Sequence, residues 1–420
     1  MPPRLRTLSR AAAIAFLIAI TLWGLRLTIL EGFVYEWPRA FGGDFKAAMF
    51  DVDWWDGTGI MYGPVFVIEH WFVNAWPHVF TVYFFALANI PAMVLAFVLA
   101  SSAARSNRTA IFVSLTAWLC FRWFYQAFSV AANPEILEVL FLTLAWYAAS
   151  RAKPSAAWMA WVVAVLTKVI PAIFAPLLLM RASRRAIVLG AATGLALMVA
   201  VGIGQRLSPK DLVLDIVIPT QNVGNGQGNR RQSEHIEPLP SADIARGLNS
   251  ALARAFRMTE GDPSISRIQT ASNVVTLLVY LSSLLVALRL LRGQHGLPEI
   301  TRLTLSYGLF FALLPLLTFH THRHTFVFLV PVWTAIIATL VEDTARLRMA
   351  LFSVLFLLIY VQIGLPAAIV PVDRLMRTRY ASSWLFDDPI WGNLTLILVL
   401  SVYAVMRTYD RQAIPGPGTV

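Results

Sequence analysis

The chain has 420 residues, of which 58% are hydrophobic and 14% charged, with a formal net charge of +11. Soluble domains are about 45–50% apolar and about 25% charged, so this composition excludes a soluble globular enzyme and a disordered chain. The single cysteine, Cys120, excludes an internal disulfide and a cysteine-rich metal site. In a membrane protein, excess Lys and Arg is typical of cytoplasmic loops, so we expect no nucleic-acid partner.

Apolar runs long enough for membrane-spanning helices recur along the chain, since a span takes about 20 mostly apolar residues. The first run, 11–30, follows three arginines and is longer than the apolar part of a signal peptide. It is therefore predicted to be a retained helix that leaves the N-terminus in the cytoplasm. The other predicted single spans are 79–103, 109–131, 134–149, 186–204, 271–291, 300–318, 325–341, 349–370 and 389–407.

Segment 156–180 is predicted to enter the membrane and return to the side from which it started. Basic clusters flank it at 151–153 and at 181–185. A single crossing would place the second cluster outside and would invert every later loop, against the positive-inside rule. A short hairpin avoids this conflict: 156–167 rises, the chain turns at 168–171, and 172–180 descends.

These elements predict an all-α polytopic membrane protein with about 12 helical passes, including the short re-entrant hairpin. We expect one transmembrane domain over 1–410 and a disordered cytoplasmic tail over 411–420. Both termini are then cytoplasmic. The long polar loops fall on the outer side, which predicts function at the extracytoplasmic face. These outer loops are 31–78, 205–270 and 371–388.

Asp44, in the first outer loop, is the main candidate for a catalytic group. It closely follows the first predicted span and stands beside Gly42 and Gly43, which permit a sharp turn. A carboxylate held at the start of a short interfacial helix can act as a general base. The same carboxylate can also be a helix N-cap that satisfies backbone donors. The two roles are compatible, and the sequence leaves both open.

Charged residues inside predicted spans are costly and therefore indicate functional sites. Lys168 lies at the tip of the hairpin and needs a carboxylate or a phosphate as its partner. Arg122 lies in the outward half of its span, while Asn133 and Glu135 begin the next helix at the outer interface. Glu138 follows one turn later, and a structural ion pair between Arg122 and Glu138 is the alternative interpretation.

Three histidines alternate along the connection between two late spans, at the predicted outer face. His320, His322 and His324 surround Arg323 in this connection. Their spacing would allow two or three to face one metal ion, but no nearby carboxylate or cysteine completes a ligand set. Histidine beside arginine can also bind a phosphate or donate to sugar hydroxyls, which is the interpretation we favour over metal binding or simple interfacial packing.

Taken in order, these motifs resemble those of glycosyltransferase family 87, a family of polytopic C-type (GT-C) enzymes. The resemblance covers roughly residues 30–340 and depends on the order of several short motifs. The matching elements are Asp44-Phe45, Tyr62-Gly63-Pro64, Asn133-Pro134-Glu135, Lys168 with Pro171, Gln232-Ser233, and the histidine corner at 320–324.

The resemblance implies a GT-C fold in the plasma membrane and a polyprenyl-phosphate-linked sugar, often mannose, as donor. The acceptor would be a membrane glycolipid or a lipid-anchored glycan, and Asp44 would be the base of an inverting transfer. No metal or other cofactor is implied. The donor phosphate would be held by Lys168, Arg122, Arg323 and His322. Substrate contacts would come from Tyr62, Asn133, Glu135, His320, His324 and Gln232.

Two other classes of protein remain open on the sequence. A transporter or flippase of a lipid-linked anion would use the same intramembrane cations to line a pathway. A non-catalytic membrane scaffold would not need Lys168 at membrane depth. The transporter lacks support from internal repeats, since we find neither parallel nor inverted halves in the sequence.

Overall fold

The computed structural model describes residues 78–121, 123–124, 135–204, 265–292, 297–317, 323–364 and 389–409, with single positions 18, 19, 22, 248, 251 and 252. Every regular element within this part of the chain is helical. Five of its helices are long and apolar enough to cross a membrane. The described part of the protein is therefore all-α, and its apolar helices indicate a membrane protein, as the composition predicts.

Eleven α-helices and two 3₁₀ segments follow one another through the described ranges. The first group is α1 His78–Ala103, α2 Arg108–Leu119, α3 Glu135–Ser150, α4 Pro154–Thr167, a 3₁₀ turn Ile170–Phe174, and α5 Ala175–Leu179. The second group is α6 Arg184–Gly204, α7 Ile265–Leu291, α8 Glu299–Leu317, a 3₁₀ helix Arg323–Leu329, α9 Val330–Val341, α10 Arg346–Gly364 and α11 Pro389–Tyr409.

Most predicted spans agree with these helices to within a few residues, but the helix predicted over 109–131 is interrupted at 120–121, and residues 125–131 lie outside the described residues. Helix α2 ends at Leu119, where the amide of Cys120 still bonds the carbonyl of Thr116 at 2.9 Å. Beyond it, the indole of Trp123 donates to the carbonyl of Ile363 at 2.6 Å. The α-helix is thus interrupted at Cys120 and Phe121, and residues 123–124 are helical again where Trp123 contacts the end of α10.

Two further boundaries differ from the prediction. The span 325–341 begins as a 3₁₀ helix, and α-helical geometry starts only at Val330. Pro331, in the first turn of α9, has no amide hydrogen for a bond to the preceding turn. The outer loop predicted to end at 270 ends earlier, because α7 begins at Ile265 and Ile268 is already buried.

Several predictions fall outside the described residues. These include almost all of the first span and of the three outer loops, and the tail at 411–420. The number of passes and the limits of the domain therefore stay predictions.

The predicted break at Lys168 is confirmed. Helix α4 stops at Thr167, and Lys168 takes an extended backbone conformation with φ −156° and ψ 141°. Pro171 and Pro176 then occupy the first turns of the next two short helices, where a missing amide hydrogen costs least. The indole of Trp161 donates to the carbonyl of Pro171 at 2.8 Å, so the chain folds back along α4.

The chain also returns to its starting side, as the charge pattern predicts. Gly190 and Gly194 of α6 lie against α4: a Cβ at Gly190 would sit 3.3 Å from the Trp158 ring, and one at Gly194 would sit 3.2 Å from Val162. Contacts therefore advance along both helices in the same direction, so α4 and α6 run parallel. Because α4 and α6 are parallel, the chain between them must return from the end of α4 to the level of its start. Residues 168–183 make this return.

One end of the bundle collects nearly all the basic side chains of the described residues. Arg181 pairs with Glu299 at 2.7 Å, and Arg289 lies 5.1 Å over the Tyr409 ring. These contacts join the hairpin, α7, α8 and α11 at the same level. We call this the basic end, and it is formed by Arg105, Arg108, Arg151, Lys153, Arg181, Arg184, Arg185, Arg289, Arg292, Arg302, Arg346, Arg348 and Arg407.

Helix α8 is at the centre of the bundle. In its apolar window 83% of the residues are buried, against 17% for α7 at the periphery. Tyr307 of α8 stacks on Trp146 of α3 with ring centroids 5.9 Å apart, and Phe174 of the returning arm packs edge-on against Phe311 at 5.3 Å. The aromatic core thus fixes the hairpin against α3 and α8.

Candidate functional site

Two glutamates lie fully buried in the first turn of α3. Glu135 and Glu138 are separated by three residues and therefore share one face of the helix. A carboxylate at a helix N-terminus is favoured by the exposed amides and the helix dipole. That effect is worth at most about 2 kcal/mol, which does not offset the desolvation of two buried charges. Their burial therefore needs another cause.

Lys168 supplies part of that cause. Its Nζ lies 2.8 Å from Oε1 of Glu135, and the two side chains are 15% and 1% exposed. The lysine reaches α3 because α4 ends just before it and the extended backbone turns the side chain away from the helix. The break in the hairpin and the acidic turn of α3 thus form one buried ion pair, which answers the prediction that Lys168 needs an anion.

Glu138 is in a different position. Neither of its carboxylate oxygens has a hydrogen-bond partner among the described residues, although both are buried. The charges of Lys168 and Glu135 both act on it. Buried polar atoms are nearly always hydrogen-bonded in proteins, so an unpartnered carboxyl group marks a place where something else is bound or where strain is retained.

The 3₁₀ helix Arg323–Leu329 packs against α3. It begins with Arg323 and His324, of which the structure describes the backbone but not the side chains. Phe326 of the same helix packs against Trp123, with ring centroids 5.7 Å apart. Three separate segments that contain predicted site residues thus lie at one end of the bundle: the start of α3, the break at Lys168 and the 3₁₀ helix Arg323–Leu329.

This site is at the end of the bundle opposite the basic end. Helix α10 starts at Arg346, at the basic end, and finishes beside Trp123 of the site. Likewise α4 starts next to Lys153 and finishes at Lys168. We call the group of Glu135, Glu138 and Lys168 the buried acid–lysine cluster.

The remaining predicted site residues lie outside the described residues, so their roles stay predictions. They are Asp44, Tyr62, Arg122, Asn133, Gln232, His320 and His322.

Sequence reasoning missed a second polar network, which lies at the basic end. Asp343 accepts from Nε and Nη2 of Arg348 at 2.7 and 2.6 Å, and Nη1 of Arg407 lies 3.5 Å from it. Burial would raise the pKa of Asp343, but these arginines and the amide of Ala345 outweigh burial and hold the pKa below its ordinary value. The sequence signal for this network was the acidic pair Glu342-Asp343, which lies between two predicted spans and is followed by Arg346 and Arg348.

No protein-family model and no curated protein matches this chain. The resemblance to glycosyltransferase family 87 therefore depends on the motifs alone.

Proposed function

We propose that the protein is a membrane glycosyltransferase of the GT-C type. It moves a sugar, mannose in our proposal, from a polyprenyl-phosphate donor to a glycolipid or lipid-anchored glycan. The observation that carries the proposal is the buried acid–lysine cluster, in which Lys168 pairs with Glu135 at 2.8 Å beside an unpartnered Glu138. Ionisable groups held within the apolar bundle are costly, and in membrane proteins they mark substrate sites by default.

The cluster supports a specific division of roles. An ammonium group has three donors, so Lys168 can hold Glu135 and still donate to a phosphate oxygen. Glu135 already matches the charge of Lys168, so a donor phosphate needs further cations. Arg122 and Arg323 are the cations we propose, since a guanidinium binds phosphate with two parallel hydrogen bonds.

The chemistry follows from the proposed roles. Asp44 removes the proton from the acceptor hydroxyl as its oxygen attacks the anomeric carbon of the donor sugar. The bond from that carbon to the phosphate oxygen breaks, and polyprenyl phosphate leaves with the electron pair. Attack from the face opposite the leaving group inverts the anomeric configuration. The cations stabilise the phosphate as its negative charge grows.

We also propose that the basic end faces the cytoplasm and that the cluster lies toward the extracytoplasmic face of the plasma membrane. The concentration of arginines at one end of the bundle supports this orientation through the positive-inside rule. Polyprenyl-phosphate sugars presented from the outer leaflet would then reach the cluster laterally from the bilayer.

A transfer assay with purified protein tests the proposal. The protein in nanodiscs is incubated with a panel of radiolabelled polyprenyl-phosphate sugars and cell-envelope glycolipids, and product and released polyprenyl phosphate are both measured. Asp44→Asn keeps the side-chain shape and any N-cap bond but cannot accept a proton, so transfer should fall by about 10²–10⁴-fold. Asp51→Asn, Asp53→Asn and Asp56→Asn are the matched controls and should remain active.

Two outcomes would contradict the proposal. A fully active Asp44→Asn with one inactive control would move the base to that neighbour. Movement of a lipid-linked anion across sealed vesicles, with no transfer to any acceptor, would instead indicate a flippase.

A further inference from the structure

A cavity of about 480 Å³ opens at the basic end, far from the buried acid–lysine cluster. It lies where the α1–α2 turn, the start of α8, the α9–α10 loop and the end of α11 meet. Its volume is within the range of small-molecule sites, about 300–1,000 Å³. Its lining contains the apolar residues Leu297, Pro298 and Ile300, together with three arginines and two carboxylates.

Arg407 is a buried cation with unused donors in this cavity. The residue is only 8% exposed, and a single nitrogen, Nη1, donates to the carbonyl of Thr339 at 2.9 Å and to the hydroxyl of Tyr403 at 3.1 Å. Among the described residues, no acceptor pairs with its Nε or Nη2. A guanidinium presents five N–H groups, so most of this one is available to a ligand.

Arg105 is the second available cation. It lies in the α1–α2 turn, lines the cavity and is exposed, and no carboxylate pairs with it in the described part of the chain. Ile300 and Thr301, in the first turn of α8, also line the cavity. Amides in the first turn of a helix have no partner within their own helix and favour negative charge.

The two carboxylates in the wall do not cancel this positive character. Asp343 is held by Nε and Nη2 of Arg348 in a two-bond pair, and Nη1 of Arg407 lies 3.5 Å from the same carboxylate, so two arginines share one negative charge. Glu342 accepts from the hydroxyl of Thr301 at 3.2 Å. The lining therefore holds three arginines, Arg105, Arg348 and Arg407, against the two carboxylates Glu342 and Asp343.

We propose that this cavity binds a phosphate group, with Arg105 and Arg407 as its cationic contacts. The phosphate belongs either to an anionic lipid headgroup or to a soluble phosphate compound. The apolar residues of the lining accommodate the part of the ligand next to the phosphate. The site is independent of the proposed transferase activity, because it is at the other end of the bundle.

Binding is measured by thermal unfolding of the full-length protein in detergent. The probes are inorganic phosphate, short-chain phosphatidylglycerol and short-chain phosphatidylcholine, with chloride at matched ionic strength as reference. Phosphate, phosphatidylglycerol or both should raise the unfolding temperature in a saturable way, and phosphatidylcholine should not. Stabilisation by both probes indicates a site for the phosphate group itself, and stabilisation by phosphatidylglycerol alone indicates a lipid headgroup.

Arg105→Gln is the main variant because its side chain is exposed and its loss should not unfold the protein. It should weaken binding by about tenfold, the effect of removing one charge-assisted hydrogen bond. Arg108→Gln is the matched control: it removes an exposed arginine three residues away that does not line the cavity. Arg407→Lys keeps the charge but loses the fork geometry, and it should weaken binding as well.

Equal weakening by Arg105→Gln and Arg108→Gln would overturn the proposal, because the ligand would then respond only to the overall charge of this end. Failure of both phosphate and phosphatidylglycerol to stabilise the wild-type protein beyond chloride would also overturn it.

Discussion

Breaking the ion pair between Lys168 and Glu135 should destabilise the protein more than any surface change. The two groups are 2.8 Å apart, with side chains 15% and 1% exposed, so removing one leaves the other charged and poorly solvated. Loss of one partner of a buried pair costs about 3–5 kcal/mol, whereas replacing both by neutral groups is close to neutral. Lys168→Met and Glu135→Gln should each lower the free energy of unfolding by that amount. The double variant should recover most of it.

The unfolding free energies of the four proteins are measured in mixed micelles, and sugar transfer is measured in parallel. If Lys168 also contacts the donor phosphate, the double variant should fold but transfer little sugar, while Lys168→Arg retains part of the activity. A double variant that is as unstable as the sum of the two single variants would refute the pairing argument. A stable and fully active double variant would show that Lys168 is structural only.

Two further predictions concern the basic end. Because its pKa is lowered in the folded state, Asp343 contributes stability above its unfolded pKa of about 3.9, and this contribution is lost as the pH falls through the folded value. The stability difference between wild type and Asp343→Asn, followed by thermal unfolding from pH 7 to pH 3, should therefore shrink in acid; a constant difference would rule out this linkage. Ser183→Cys lies between the returning arm and α6, so a membrane-impermeant thiol reagent added outside intact cells should not label it. Efficient labelling there would reverse the proposed orientation.

The sequence predicted the helices well because two strong physical signals set them. Apolar runs locate the spans, and the charge at their ends determines on which side each one finishes. The return of the chain after Lys168 is the clearest case: the basic residues at 181–185 required it, and the parallel contacts of Gly190 and Gly194 with α4 confirm it. Pro171 and Pro176 explain why the returning arm is broken into short helices.

Features that depend on tertiary contacts were not predictable from these signals. The span 109–131 has no proline or polar break before residue 120, yet α2 ends at Leu119, where Trp123 reaches the backbone of α10. Similarly, Lys168 was predicted to need an anion, but hydropathy could not select Glu135, which is 33 residues earlier. The basic-end cavity depends on loops distant in sequence, which no local pattern brings together.

The two buried glutamates of α3 should differ in their contributions to stability and to sugar transfer. Glu135 is paired with Lys168, so Glu135→Leu should destabilise the fold, since it removes the carboxylate that lies 2.8 Å from this largely buried ammonium group. Glu138 has no hydrogen-bond partner among the described residues, so Glu138→Leu removes only desolvated polar atoms and should leave stability unchanged or higher. A buried carboxyl group that lowers the stability of the fold is explained by a role in binding or catalysis. Glu138→Leu should therefore lose sugar transfer but unfold at a temperature no lower than that of wild type. Unfolding and transfer measured on both variants decide the matter: a Glu138→Leu protein that unfolds as early as Glu135→Leu would mean that Glu138, too, has a structural partner.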